Sequence, residues 1–134
     1  MTTEPYNATK AEEIIDGFDT KPEMLVQMLH AFLDAFGHIG EDAIRQLAKA
    51  LNLSRADVHG VVSFYHDFRT SPAGKHVVKI CEAEACQSMG CRSLIEHATE
   101  KLGVAMHQSN ADVTLEPVYC LGNCALSPAV MVDG

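Results

Sequence analysis

Apolar residues in the first half of the chain recur at the three- and four-residue spacing that places them on one face of an α-helix. The longest such stripe consists of Met24, Leu25, Met28, Leu29, Phe32, Leu33 and Phe36. Thr20 and Glu23 match a capping box ahead of this stripe, and Pro22 is preset for an early helical position. Gly37 follows the last apolar residue. The pattern predicts an amphipathic helix that ends at Gly37.

Three shorter stretches of this half have the same helical spacing. Their apolar positions are Ala11, Ile14, Ile15 and Phe18; Ile44, Leu47, Ala48 and Leu51; and Val58, Val61, Val62 and Tyr65. Glu41 and Asp42 suit the positive end of the second helix, while Ser54 and Asp57 are expected to cap the third. Short amphipathic helices joined by tight turns predict a helical bundle over residues 1–72.

The pattern changes at residues 70–75, where Ser, Pro and Gly interrupt the helical spacing. The apolar run 77–80 predicts a short buried strand, and 88–102 returns to helical spacing. Alternation over 113–119 predicts a second strand, in which Pro117 indicates an exposed edge or a distorted end. Residues 129–132 form a third predicted strand.

The two halves together predict an α+β protein, with the helical bundle over residues 1–72 and a second domain over 73–134. Asp133 and Gly134 follow the last predicted strand, and Asp-Gly after an apolar strand is a strong hairpin signal. The return strand of that hairpin would lie beyond Gly134. We expect the chain to be a C-terminally trimmed portion of a longer protein; the alternative is that another chain supplies the neighbouring strand.

Composition and charge exclude several classes of function. With 47% hydrophobic and 21% charged residues, the chain resembles an ordinary globular protein. A formal net charge of −8 opposes binding to nucleic acid, because that affinity comes largely from Lys and Arg. No run of about 18 apolar residues and no basic-then-apolar leader is present, so neither membrane insertion nor secretion is expected. Five cysteines without a leader favour a reducing, cytoplasmic location.

Four of these cysteines form two close pairs, Cys81 with Cys86 and Cys120 with Cys124. Each pair follows a predicted strand, so both pairs emerge at the same end of a sheet if the strands are parallel or adjacent. Such pairs are iron-sulfur ligands, zinc ligands or redox-active dithiols. The CxxxxC spacing favours an iron-sulfur cluster, since zinc knuckles use tighter turns and thioredoxin-like redox chemistry ordinarily uses CxxC. The other two chemistries stay open at this point.

The fifth cysteine, Cys91, lies on the apolar stripe of the predicted helix 88–102, with Leu94, Ile95 and Ala98. A buried free cysteine behaves as a small hydrophobe. We therefore expect Cys91 to pack in the core and not to bind the metal.

Three segments of the chain carry a resemblance to a known family. They are LNLSRADVHGVVSFYHDF in the helical half, HVVKICEAEACQSMGC at the first cysteine pair and LEPVYCLGNCALSPAVMVDG at the second. The chain is identified as a member of the thioredoxin-like [2Fe-2S] ferredoxin subunits, found beside the flavoprotein of complex I and related NAD-linked enzymes. The resemblance implies a helical bundle followed by a thioredoxin-like ferredoxin domain. It also implies that Cys81, Cys86, Cys120 and Cys124 hold one [2Fe-2S] cluster, with Cys91 outside the ligand set.

The loop AEACQSMG at residues 83–90 resembles the gamma subunit of NAD-dependent molybdenum formate dehydrogenase. That resemblance implies a non-catalytic electron-transfer subunit. Its expected partners are an FMN-containing NADH dehydrogenase (beta) subunit and a larger catalytic subunit that carries molybdenum and iron-sulfur centres. Two alternatives stay open: the equivalent subunit of complex I or of an NAD-linked hydrogenase and, from a different class, a zinc-stabilised four-cysteine interaction module.

Overall fold

Helices and strands both contribute to the described chain, residues 4–134, in this computed structural model. The chain divides into two compact units, the first ending at Pro72 and the second beginning at Ala73. The first unit is helical, and the second combines a four-stranded sheet with two helices. The expected α+β class is therefore confirmed. Within the described residues, no helix combines the length and the apolar character needed to cross a membrane.

The helical unit contains α1 (Ala8–Asp16), α2 (Leu25–Phe36), α3 (Glu41–Leu51) and α4 (Arg55–Phe64). Its apolar core includes Met28, Leu29, Phe32, Leu47 and Val58, all fully buried. These residues belong to the stripes that the spacing predicted. Burying one face of each amphipathic helix against the others is what holds such a unit together.

The caps of these helices match the sequence prediction with one exception, and the predicted stripes of α1 and α4 extend past the helix ends to Phe18 and Tyr65. Gly37 adopts the left-handed conformation, with φ 76°, and ends α2. Ser54 and Asp57 form the predicted capping box at the start of α4. The capping box predicted at Thr20 and Glu23 is wrong, because Pro22 opens a 3₁₀ turn that leads into α2, and no side chain caps that turn.

The second unit contains β1 (His76–Cys81), α5 (Glu84–Ser88), α6 (Cys91–Leu102), β2 (Gln108–Ser109), β3 (Val113–Val118) and β4 (Val130–Val132). The strand order is β2-β3-β1-β4, with β1 parallel to β3 and antiparallel to β4. α5 and β2 are absent from the sequence prediction. The helix predicted over 88–102 begins only at Cys91, because Gly90 adopts a left-handed conformation, with φ 95°.

β3 as a whole lies between β1 and β2, but β2 does not reach Pro117, so Pro117 lies at a local edge as predicted. It pairs in register with Ile80 of β1. β2 is short and pairs only with Thr114 and Leu115, so Pro117 lies outside that ladder. The missing N–H of the proline therefore costs no hydrogen bond to β2.

Two contacts hold the beginning of β1 in place. Gly74 lies so close to β3 that a Cβ atom there would stand 2.6 Å from the backbone nitrogen of Val113. Asp133 follows β4, and its carboxylate accepts hydrogen bonds from Val77 N–H at 2.8 Å and from His76 Nδ1 at 2.7 Å. These contacts align β1 with both of its neighbours.

Candidate metal centre

The parallel pairing of β1 with β3 brings the two cysteine pairs to one edge of the sheet. Cys81 is the last residue of β1 and pairs with Val118, the last residue of β3. Cys120 follows two residues later, and Cys124 opens a short 3₁₀ helix. Cys86 lies within α5, the helix that directly follows β1. The expectation that both pairs emerge from the same end of neighbouring strands is confirmed.

Backbone amides link the sulfur atoms across the two segments. The N–H of Cys120 donates to Cys81 Sγ at 3.3 Å, and the N–H of Gly122 donates to Cys120 Sγ at the same distance. Cys120 has φ 85°, a conformation that costs energy for a residue with a side chain. Amide donors of this kind stabilise thiolate sulfur and bound metal-thiolate groups.

The sulfur atoms form two pairs with different environments. Cys120 Sγ and Cys124 Sγ lie 3.6 Å apart, and both residues are exposed. Cys81 and Cys86 are each only 2% exposed, and their side chains are hydrogen-bonded to each other. One pair is therefore open to solvent, whereas the other is enclosed by protein.

The pKa values of the thiols reflect these environments. Burial raises the pKa of Cys81, but N–H groups of Ala83, Cys120 and Leu121, together with the Cys86 thiol, bring it below the ordinary thiol value. The pKa of Cys124 is raised because its thiol hydrogen-bonds to Cys120 and feels the charge of that neighbour. A metal that binds here would displace the remaining protons from the thiols.

Cys91 is 1% exposed, which confirms the expectation that it packs in the core. Its buried neighbours include Cys81, Cys86 and Ala129, and Ile95 packs against the same cluster. Burial raises the pKa of Cys91, with further contributions from the nearby Glu82 and Cys86, so its thiol stays protonated. The sequence did not indicate that Cys91 lies beside the first cysteine pair. Two features of the sequence could have suggested this position: the short interval of five residues from Cys86 to Cys91, and Gly90, which allows the chain to turn directly before Cys91.

The sulfur arrangement fits a binuclear cluster. Four cysteine sulfurs are the usual ligands of a [2Fe-2S] cluster, two on each iron. Within residues 4–134, no group of three or more His, Cys, Asp or Glu side chains is arranged around one point where a single metal ion could bind. The two cysteine pairs at one end of the sheet match that cluster in the number and kind of ligands.

Comparison with known proteins identifies a family and relatives that are similar to this chain in sequence. Residues 11–134 match the family described as thioredoxin-like [2Fe-2S] ferredoxin. A subunit of the NADH-quinone oxidoreductase of Pseudomonas aeruginosa is 35% identical over 99 residues, which cover 72% of this chain and 60% of that protein. The equivalent subunit from Aquifex aeolicus is 31% identical over 127 residues, which cover 93% of this chain and 79% of that protein.

Solved structures show the same fold inside a larger chain. A chain of NAD+-reducing [NiFe]-hydrogenase in its air-oxidized state superposes with a TM-score of 0.68 and 20% sequence identity. The match covers 82% of the present chain and 19% of the hydrogenase chain. At this level of identity the likeness establishes the fold alone.

Proposed function

The chain belongs to the thioredoxin-like [2Fe-2S] ferredoxin family, and from this premise we propose that it is an electron-transfer subunit whose cluster is held by Cys81, Cys86, Cys120 and Cys124. The enclosed pair, Cys81 and Cys86, binds one iron, and the exposed pair, Cys120 and Cys124, binds the other. Electrons pass between this cluster and a flavin-containing, NADH-oxidising partner. The chain carries out no bond chemistry of its own.

One observation supports this proposal above the others: the Cys120 amide donates to Cys81 Sγ and so links the two pairs at one sheet edge. When bound, a [2Fe-2S] cluster accepts and returns one electron at a time. The residues of this chain hold that cluster in position and lower the cost of its negative charge. The amides of Cys120 and Gly122 point at sulfur, and the apolar cluster around Cys91 keeps water from the enclosed pair.

For the parent assembly, we propose a cytoplasmic NAD-dependent formate dehydrogenase that contains molybdenum. Support comes from the resemblance carried by the loop at residues 83–90, which includes the whole of α5 and the proposed ligand Cys86. In this assembly an FMN-containing NADH dehydrogenase subunit would exchange electrons with the present chain. A larger subunit with molybdenum and iron-sulfur centres would oxidise formate.

The second candidate is the corresponding subunit of complex I or of an NAD-linked hydrogenase. The relatives from Pseudomonas aeruginosa and Aquifex aeolicus favour this candidate, because both are named as parts of NADH-quinone oxidoreductase. Both candidates use the same cluster and the same kind of flavoprotein partner. They differ in the enzyme to which the flavoprotein is connected.

Purification of the native assembly under anaerobic conditions distinguishes these candidates. The affinity-tagged chain is isolated from its own cells, and iron, sulfide, molybdenum, nickel and flavin are measured together with formate-dependent NAD+ reduction. We expect a brown, flavin-containing assembly with molybdenum and formate activity. NADH-quinone activity without molybdenum, or hydrogen-dependent NAD+ reduction with nickel, would assign the chain to the second candidate. A colourless chain that contains one zinc would overturn the electron-transfer proposal itself.

A further inference from the structure

Cys91 is a buried thiol beside the enclosed cysteine pair, and it is not one of the proposed ligands. It belongs to the same buried cluster as Cys81 and Cys86. The other side chains that form this cluster or pack against it are hydrocarbons: Ala83, Ile95, Val118, Leu121 and Ala129. Within the described part of the chain, Cys91 therefore adds the one polar side chain of this cluster apart from the two proposed ligands.

The backbone fixes the position of Cys91. Gly90 turns the chain in the left-handed conformation, and Cys91 is the first residue of α6. The N–H of Leu94 donates to the carbonyl oxygen of Gly90 at 3.3 Å and closes the first turn of this helix. The backbone conformation also limits the rotamers of a helical side chain. Another small residue in place of Cys91 should therefore keep the backbone and occupy the same position.

Iron binding would decide which of the cysteines keeps a proton. In the metal-free chain the side chains of Cys81 and Cys86 are hydrogen-bonded to each other. Both would lose their protons on binding iron, because the thiolate is the form that binds metals. Cys91 is not a proposed ligand and would keep its S–H group. Of the five cysteines in the chain, Cys91 would then be the one that still carries a thiol hydrogen.

A thiol in this place affects the cost of adding an electron. Reduction adds one negative charge to a site whose enclosed half is shielded from water. The N–H of Cys120, which donates to Cys81 Sγ at 3.3 Å, offsets part of that charge. An S–H group is a weaker donor, but its dipole can turn the hydrogen toward the added charge. Such groups and the degree of solvent exposure set the reduction potentials of iron-sulfur sites.

We propose that Cys91 is a positioning residue that raises the reduction potential of the cluster by holding an S–H group beside the sulfur atoms of Cys81 and Cys86. This inference rests on the proposed function, in which the flavoprotein partner supplies one electron at a time. The electron is gained at the cluster, Cys91 keeps its proton, and no bond is made or broken. The four ligands hold the cluster, and Cys91 sets how readily it is reduced.

Cys91→Ala and Cys91→Ser form a matched pair, because alanine and serine are close in size and only serine carries a polar hydrogen. Ile95→Val is the packing control, since Ile95 packs against the same cluster and the change removes no polar group. Each full chain is loaded with its cluster, and iron and sulfide are measured. The reduction potential is then determined by anaerobic titration with electron paramagnetic resonance.

We expect Cys91→Ala to lower the reduction potential by at least about 28 mV, which corresponds to about a threefold change in a one-electron equilibrium. Cys91→Ser should have a potential no lower than that of the wild type, because its hydroxyl group restores a donor. Ile95→Val should match the wild type. A loss of packing alone would not separate serine from alanine in this way.

The infrared spectrum of the loaded wild type tests the same role without a substitution. Cys91 should give a single S–H stretching band, and Cys91→Ala should lose it. The band should move to lower frequency when the cluster is reduced, because the S–H hydrogen then faces a more negative group. This measurement applies even if a variant fails to take up its cluster.

Three results would overturn this role of Cys91 and leave the proposed function intact. The first is a wild-type potential in Cys91→Ala with an intact cluster. The second is an equal lowering of the potential in Cys91→Ser or Ile95→Val. The third is an S–H band that stays at the same frequency on reduction. A wild-type chain that binds no iron and sulfide would overturn the proposed function and, with it, this inference.

Discussion

The two units of this protein are built on different kinds of core. Among its described residues, the helical unit buries sixteen in one apolar cluster, which includes Phe32, Phe36 and Leu47. The second unit buries one cluster of four residues and another of three. Three of the four residues in the first of these clusters are cysteines, Cys81, Cys86 and Cys91. The helical unit therefore depends on apolar packing, whereas the second unit has little apolar core apart from its metal site.

This difference has a physical consequence for stability. Small domains bury a limited fraction of their surface, and many of them rely on metals or disulfides as additional links. A cluster that binds only the folded form adds its binding free energy to folding. We therefore expect the second unit to depend on its cofactor and the helical unit to be indifferent to it.

Removal of iron is expected to have the largest effect. Binding at a thousand times the dissociation constant stabilises a folded domain by about 4 kcal/mol, and a loss of that order is expected in the second unit. Calorimetry of the chain before and after anaerobic chelation would show this as a shift of one transition. The transition of the helical unit should stay where it was. Equal shifts in the two unfolding temperatures would show that the helical unit depends on the cofactor as much as the second unit does.

Phe32→Ala should lower the stability of the helical unit and leave the iron content of the chain unchanged. Phe32 is fully buried in the helical core, and truncating such a residue costs about 3–5 kcal/mol. Phe64→Ala is the matched control, because Phe64 is 75% exposed and should change stability by less than about 0.5 kcal/mol. Urea unfolding followed by circular dichroism measures both variants. Iron content should be the same in both, and a loss of iron in Phe32→Ala would show that the units are not independent.

Cys91→Ser should lower the stability of the second unit slightly without removing its cluster. Cys91 is buried beside the first ligand pair, and a hydroxyl group in that apolar position costs about 1 kcal/mol. The variant should keep its cluster, since Cys91 is not one of the four proposed ligands. Iron analysis and urea unfolding of Cys91→Ser and Cys91→Ala together separate a packing loss from a ligand loss. Absence of iron in both variants would make Cys91 a ligand.

Protonation of one carboxylate in each unit should have the smallest effect, and it is measured on the iron-free chain because acid decomposes an iron-sulfur cluster. Hydrogen bonds from Ser54 lower the pKa of Asp57, and hydrogen bonds from His76 and then Val77 lower the pKa of Asp133, both from an ordinary value of 3.8. Each carboxylate therefore stabilises its unit above pH 3.8, and this contribution is lost as pH falls through the lower folded value.

Asn cannot be protonated in this pH range. Asp57→Asn and Asp133→Asn should therefore each remove the loss of stability that protonation of the replaced carboxylate causes in its own unit. Unfolding of the iron-free chain, measured from about pH 6 down to about pH 3, compares the two variants with the wild type. Asp57→Asn should alter only the helical transition, and Asp133→Asn only that of the second unit. An acid response identical to the wild type in both variants would contradict the depressed pKa values.

Sequence patterns predicted the helical unit better than the second unit. Helical spacing and the cap at Ser54 are local signals, and the structure follows them closely. The failed cap at Thr20 shows the limit of such signals, because Pro22 started a 3₁₀ turn that the capping pattern does not describe. The family resemblance, read from motifs around the cysteines, is also confirmed.

The features that the sequence did not predict are either too short to show a pattern or depend on tertiary contacts. α5 is a five-residue helix, too short for an amphipathic pattern to identify it. β2 pairs through only two residues with the middle of β3. The position of Cys91 against Cys81 and Cys86 depends on how α6 packs, which spacing along the chain cannot specify.

The iron and acid-labile sulfide content of single cysteine variants, purified without oxygen, shows which sulfur atoms hold the cluster. The wild type and Cys91→Ser should each contain two irons and two sulfides per chain, as a [2Fe-2S] cluster requires. Cys81→Ser, Cys86→Ser, Cys120→Ser and Cys124→Ser should each lose the cluster. An intact cluster in Cys120→Ser, or one zinc in place of iron in the wild type, would contradict the account.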